Sequence, residues 1–444
     1  MYQVVLLILS VVLLLVLISK LRLHAFLALL LVSLLLGIAA GMPLTEVATQ
    51  VAAGFGGTMQ NIGIVIICGV IIGQILENTG GAQKIAASIL KLVGMKKATL
   101  ATAISGGVVS IPTFCDAGFV ILNPVIRALS RSGNIPYMCL VTALMTGLLT
   151  THSLVPPTPG PIAAAGILGA DVGIVMIYGL IISIPVIGGT YLWCNSKFLK
   201  KKYPELAPID AVNEEQNEKF KEIVAHAPST FMSYMPIVVP IILIVIRSFV
   251  MQYAQKGPFW YDLVVFIGTP YIALLIGAFA AFLLPTKITE DVSDGWISKA
   301  ISGAAEILLI TGIAGCFGRI LQTIGVGTIM ADAIAGLSLP SIVLPFAISA
   351  IVLIAQGSAT VALTTTAAII LPLLGSLNIS PELAVIAIAG GSFCGVFPQG
   401  SYFWCVTKLA GYDIKKGYVA VTATTFIMGA IAFVSILILS FIVH

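Results

Sequence analysis

Apolar runs close to 20 residues long recur from end to end of this 444-residue chain, separated by short polar loops. About 20 apolar residues are what a helix needs to cross the hydrocarbon of a bilayer. Only 9% of the residues are charged, against about 25% in an ordinary soluble domain, so water cannot be the solvent for most of the surface. The sequence predicts an all-α membrane protein with ten spans, near 2–19, 25–41, 57–77, 137–165, 173–195, 234–250, 262–284, 302–322, 383–408 and 417–442. The first of these begins apolar, without a basic leader or a small-residue cleavage site, and reads as a retained span.

Two further apolar stretches, 99–127 and 341–373, are too long for one span and are broken inside, at Ser110-Ile111-Pro112-Thr113 and at Gln356-Gly357-Ser358-Ala359-Thr360. Backbone freed by such breaks needs partners that lipid lacks, so it belongs inside protein or against a water-filled cavity. Both stretches are expected to be re-entrant hairpins. With the loop at Lys20–His24 in the cytoplasm, the hairpin topology places Lys84, Lys91, Lys96, Lys97, Arg127, Arg131, the lysines of 197–221, Lys287, Lys299, Lys408, Lys415 and Lys416 on that side and only Lys256 on the other. That bias obeys the positive-inside rule. It predicts a bacterial inner-membrane protein with both termini periplasmic.

The polar stretch 195–229 divides two halves, 1–194 and 230–444, that resemble each other. Gly73-Gln74-Ile75-Leu76, Gly80, Ala86 and Ile89 recur 245 residues later as Gly318-Arg319-Ile320-Leu321, Gly325, Ala331 and Ile334. Pro124 matches Pro372, and Leu168-Gly169-Ala170-Asp171 matches Ala410-Gly411-Tyr412-Asp413. Five spans and a hairpin per half make the second copy inverted. Inverted repeats with interrupted helices at matching places mark secondary transporters, with the ligand near the midplane between them.

Four polar interruptions carry the chemistry. The first is Ile111–Gly118, with Pro112, Thr113 and Asp116. An acid at membrane depth is costly and is by default a functional group; burial readies it for proton exchange near neutral pH, although a plain capping role fits the same position. The second is Thr150–Pro161, where four prolines in six residues split a span into half-helices. Its second half-helix should point a positive N-terminal end at an anion, beside His152, Ser153 and Thr158. His152 either donates to the anion or carries a proton, or is a satisfied structural histidine. The third, Gly357, Ser358 and Thr360 with Thr364, Thr365 and Thr366, offers hydroxyls and backbone N–H groups, which also serve helix packing. The fourth, Phe397–Trp404 with Gly400 and Ser401, is the repeat-mate of the second. Glu306, aligned with Asn61, is either a proton carrier or the partner of Arg319. The expected ligand-binding set is therefore Pro112, Thr113, His152, Ser153, Thr158, Gly357, Ser358, Thr360, Gly400 and Ser401, with Asp116, His152 and Glu306 coupling protons. The seven cysteines have no metal-ligand or CxxC spacing, no phosphate loop or nucleic-acid patch is evident, and no metal or cofactor is expected. The expected coupling ion is H⁺, with Na⁺ as the alternative.

At these residues the chain resembles the gluconate permease family (GntP, gluconate:proton symporters) of the ion transporter superfamily. The resemblance rests on His24-Ala25-Phe26-Leu27-Ala28-Leu29-Leu30, the Pro112–Gly118 run, Thr151-His152 with Pro156-Pro157 and Pro159-Gly160-Pro161, Gly169-Ala170-Asp171, Gly357–Ala362 and Phe403-Trp404. It implies proton-linked uptake of gluconate, related sugar acids or short hydroxy acids. Some relatives take D-serine. It also implies a homodimer in the lipid bilayer and an elevator-like step carrying both hairpin tips. Three positions depart from the family pattern as the resemblance presents it. Asp116 replaces the frequent Glu, Thr158 the frequent His of the proline run, and Gly400 the usual acid before Phe403-Trp404. A symporter is the first expectation; a membrane-embedded enzyme using Asp116, His152 and Ser153 is the alternative of a different class, and it has no recognised nucleophile motif.

Overall fold

The protein, seen in a computed structural model, is described over residues 2–208, 222–325, 340–398 and 400–443. The described residues form helices and turns, with no strand among them. The first half runs through α1 (Tyr2–Ser19), α2 (Ala25–Ala39), α3 (Leu44–Asn78), α4 (Gly81–Val93), α5 (Ala98–Val109), α6 (Cys115–Ser132), α7 (Tyr137–Leu154), α8 (Pro159–Leu168), α9 (Val172–Cys194) and α10 (Lys197–Lys202). The second half adds α11 (Thr230–Tyr253), α12 (Phe259–Ile267), α13 (Pro270–Ala281), α14 (Trp296–Thr323), α15 (Val343–Gln356), α16 (Ala359–Ile370), α17 (Pro381–Gly391), α18 (Ser401–Ala410) and α19 (Thr424–Ile442). Part of the linker and the repeat partners Ala331 and Ile334 lie outside the described residues.

Seven helical stretches among the described residues are long and apolar enough to cross a bilayer, or eight if α12 and α13, bent by 64°, make one span. Six of the seven coincide with expected spans. Three expected spans, 2–19, 25–41 and 383–408, are not in the count, and two of them for local reasons. The stretch at 25–41 yields α2, only 15 residues long, and 383–408 is divided between α17 and α18. The seventh stretch, Ala359–Leu377, lies in the expected second hairpin: a 3₁₀ turn at Leu371–Leu373 carries α16 past Pro372 instead of stopping it.

The two broken stretches break where their Pro and Gly residues require. α5 and α6 part at Ser110–Phe114, and α15 and α16 at Gly357-Ser358, where Gly357 takes φ 80°, the left-handed region open to glycine. The arms of each pair pack on each other, and each first arm lies along the following helix, α5 on α7 and α15 on α17. The second arms pack across the halves, α6 on α18 and α16 on α8, while α3 and α14 form the broadest helix pair.

Matched sequence positions take matched shapes. Gly169 and Gly411 end α8 and α18 at φ 69° and 70°, and Gly80 and Gly325 follow α3 and α14 at φ 76° and 72°. Asp171 then caps α9 by accepting from Gly173 and Ile174 N at 2.9 and 3.0 Å, and Asp413 caps the next turn by accepting from Lys416 N at 2.8 Å. Asp171 also accepts from Ser248 Oγ at 2.6 Å and pairs with Arg247 at 3.4 Å, tying α9 to α11. Asp171→Ala should therefore lower stability by about 1–2 kcal/mol through the lost cap, with a further loss from stranding Arg247. A thermal melt in detergent reads this, and an unchanged melt would remove the tie between the halves.

Candidate functional site

The breaks create helix ends, and three of those ends meet at one cavity of about 550 Å³. α6 brings Cys115 and Asp116 to it, α16 brings Ala359 and Thr360, and α18 brings Ser401 and Tyr402. The first turns of helices carry unpaired N–H groups and a partial positive charge. Ser358 Oγ accepts from Val361 N at 3.4 Å and caps α16; Phe114 and Gly400, at the N-cap positions of α6 and α18, give no side-chain cap. The first turns of all three line a cavity that no Lys or Arg lines among the described residues. Such a site suits a single negative charge held by dipoles.

Asp116 and His152 share this cavity. Neither Asp116 Oδ1 nor His152 Nδ1, both buried, has a hydrogen-bond partner within the protein. The His152 ring stands 6.1 Å from that of Phe114, and the thiol of Cys405 donates to the Asp116 carbonyl at 3.8 Å, joining α18 to α6. The facing wall comes from the start of α2 and from α14. There Glu306 pairs with His24 across 3.2 Å, both largely exposed at the rim. His24 Nδ1 accepts from Phe26 N at 3.3 Å, which leaves Nε2 to donate to Glu306. Arg319, the expected partner of Glu306, instead donates to Gln50 at 2.9 Å and lines a separate cavity with Asn61. The reason is spacing: 13 residues along α14 put Arg319 about 20 Å from Glu306.

Gly357, Ser358, Thr360, Ser401, Asp116, His152 and Glu306 are thus brought together. Pro112, Thr113, Ser153 and Thr158 are not. The Pro112 carbonyl rests on Gly73 of α3, and Thr113 Oγ1 donates to Val109 O at 2.5 Å. Ser153 is buried away from the cavity, and Thr158 Oγ1 donates to Val155 O at 2.7 Å. The proline run does split a span, but the start of α8 does not reach the cavity. It packs on α16, with the Pro157 carbonyl against Gly69 of α3. Gly400 serves packing: a Cβ there would come within 2.5 Å of Gly357 O. An acid at 400 would therefore push the second hairpin tip away. Gln356 and Tyr402 also line the cavity. Both lie inside interruptions visible in the sequence, yet nothing local says which side chain of an interruption faces inward. Gln399 lies outside the described residues.

Comparison with known proteins agrees with this architecture. The model of the GntP family permease matches residues 2–442. An uncharacterized permease from Haemophilus influenzae is 37% identical over 98% of this chain and 92% of its own length. The gluconate permease of Bacillus subtilis is 30% identical over 98% of both chains. Among solved structures, the YdaH transporter of Alcanivorax borkumensis superposes with a TM-score of 0.68 at 16% identity, over 94% of this chain and 98% of that one.

Proposed function

The chain belongs to the GntP permease family and is a transporter rather than an enzyme, and on that premise we propose that it imports a small hydroxylated monocarboxylate, gluconate or a related sugar acid, together with protons. The observation that carries this reading is the cavity in which three helix N-termini and, among the described residues, no Lys or Arg side chain surround Asp116 and His152. The ends of α6, α16 and α18 hold the carboxylate, and Asp116 and His152 bind and release the proton. Glu306, paired with His24, passes protons at the rim.

The same reading takes the two halves as inverted repeats. The matched glycine corners and aspartate caps support it, as does the exchange of second arms between halves. The cavity has two walls, one from α2 and α14 and one from the hairpin arms with α7 and α18. In an elevator step the second wall moves along the first, as part of a homodimer in the inner membrane. Three basic side chains contact the described parts of the linker: Lys84 donates to Val224 O at 3.3 Å, Arg131 to Ala207 O at 2.7 Å, and Lys416 pairs with Glu205 at 3.2 Å. A cytoplasmic placement of that linker, with periplasmic termini, accords with the positive-inside rule. Two acids and no Lys or Arg among the described lining residues also fit a second reading, a D-serine-like zwitterion whose ammonium meets Asp116.

Proteoliposomes test the proposal. With the outside acidic, labelled gluconate should accumulate above its level without a gradient, and a protonophore should abolish the excess. Accumulation that follows a Na⁺ gradient and ignores pH would overturn proton coupling. Accumulation of D-serine with no entry of gluconate would favour the second reading.

A further inference from the structure

Four residues that line the central cavity each carry a buried side-chain atom without a hydrogen-bond partner in the protein: Asp116 Oδ1, His152 Nδ1, Gln356 Nε2 and Tyr402 Oη. A buried polar group left unpaired costs about 1–3 kcal/mol, and native structures keep few of them without a reason. Asp116 and His152 have a use in moving the proton. Gln356 and Tyr402 have none there, because neither changes charge near neutral pH.

Gln356 is the last residue of α15, just before the second hairpin tip, and Tyr402 lies in the first turn of α18. Each therefore flanks a helix start that offers N–H groups to an anion. Tyr402 is 6% exposed, and its ring is held in the core; only its hydroxyl is without a protein partner. The N–H groups of the helix starts already meet the charge of the carboxylate, so the amide and the phenol beside them are left for the rest of the ligand. They are matched to neutral hydroxyls on the carbon chain behind it.

We propose that Tyr402 Oη and Gln356 Nε2 hydrogen-bond the hydroxyl groups of the carried acid, and so make this carrier selective for hydroxylated over plain monocarboxylates. The proposal rests on the transport reading above. It adds two specificity-determining residues, and it predicts that a site built to pair a hydroxyl discriminates against the analogue lacking it, since the protein group is then left unsatisfied.

The test is a double-mutant cycle between protein and ligand. Purified wild type, Tyr402→Phe and Gln356→Met are titrated with D-gluconate and its monodeoxy analogues, and with D-glycerate, lactate and 3-hydroxypropionate. In wild type, removing the recognised hydroxyl should weaken binding about five- to tenfold, the value of one neutral hydrogen bond. In Tyr402→Phe the parent acid should weaken by that factor, while one deoxy analogue binds as well as the parent; Gln356→Met should do the same at another position. Equal weakening of every ligand in both variants would mean a merely structural role and overturn the proposal, while leaving the transport reading intact. Failure of wild type to bind either parent acid would sink both.

Discussion

Asp116→Asn should abolish proton-driven accumulation while leaving ligand exchange across the membrane. Asparagine keeps the shape of the side chain and one acceptor oxygen but cannot take up or release a proton. Asp116 sits in the first turn of α6, inside a cavity whose described lining holds no Lys or Arg to neutralise it. A bare carboxylate at the middle of a bilayer costs about 2.5–3.5 kcal/mol. A carrier that moves this group between two sides gains by protonating it first. With no proton to take up, the variant should bring labelled ligand only to equal concentrations on the two sides, with or without an imposed pH gradient. Folding should change little, because a charge at a helix N-terminus contributes only about 0.3–1 kcal/mol. Counterflow of labelled against unlabelled ligand should persist, since the N–H groups of α6, α16 and α18 are untouched. Wild-type accumulation down an imposed pH gradient by Asp116→Asn would remove the acid from the coupling step. Loss of counterflow together with accumulation, in a protein that still melts normally, would assign Asp116 to holding the ligand instead.

The parts of this architecture that could be read from the sequence are those set by local backbone rules. Pro112, the run Pro156–Pro161 and Gly357 mark helix breaks, and the structure breaks at all three, whereas the lone Pro124 and Pro185 stay inside α6 and α9. Gly169 with Asp171 and Gly411 with Asp413 spell a helix end followed by a cap, and both corners form as spelled. The parts that could not be read depend on which way a freed side chain turns. Ser153 and His152 are neighbours, yet one side chain lines the cavity and the other does not, because α7 is buried on every side and offers no apolar face to orient it. Tyr402 and Gln356 stand beside helix breaks, where nothing local fixes which side chain faces inward. The His24–Glu306 pair joins residues 282 apart in the chain, so only the docking of α2 on α14 reveals it. Thr158 and Gly400, at positions where the family resemblance implies a His and an acid, prove to be packing positions in this chain. Its cavity is accordingly defined by Asp116, His152 and the second hairpin tip rather than by the proline run.

Gly147→Ala should be among the most damaging single-methyl changes in the molecule. A Cβ on Gly147 would lie 2.7 Å from the backbone N of Gly107 and 2.8 Å from the carbonyl carbon of Ala103. Every near neighbour is backbone, so no side chain can swing aside and α5 must move away from α7. Gly106 meets α7 equally closely, 2.7 Å from Leu144 O by the same measure, and Thr151 Oγ1 donates to Gly107 O at 2.6 Å. Close approach through small residues is how helices associate where lipid removes the hydrophobic drive. Overpacking of this kind costs about 1–3 kcal/mol, and the thermal midpoint in detergent should fall accordingly. The effect should reach the site as well. α5 leads into the break that sets Asp116, and α7 carries His152, so separating them moves one group against the other and ligand affinity should drop. Gly188→Ala in α9, where a Cβ meets nothing within 4 Å, is the matched control. It gains about 1 kcal/mol of helix propensity and should melt at or above wild type. If Gly147→Ala melts with the control and binds gluconate as wild type does, the two helices are not in backbone contact, and the first hairpin is not held at the cavity in the way described.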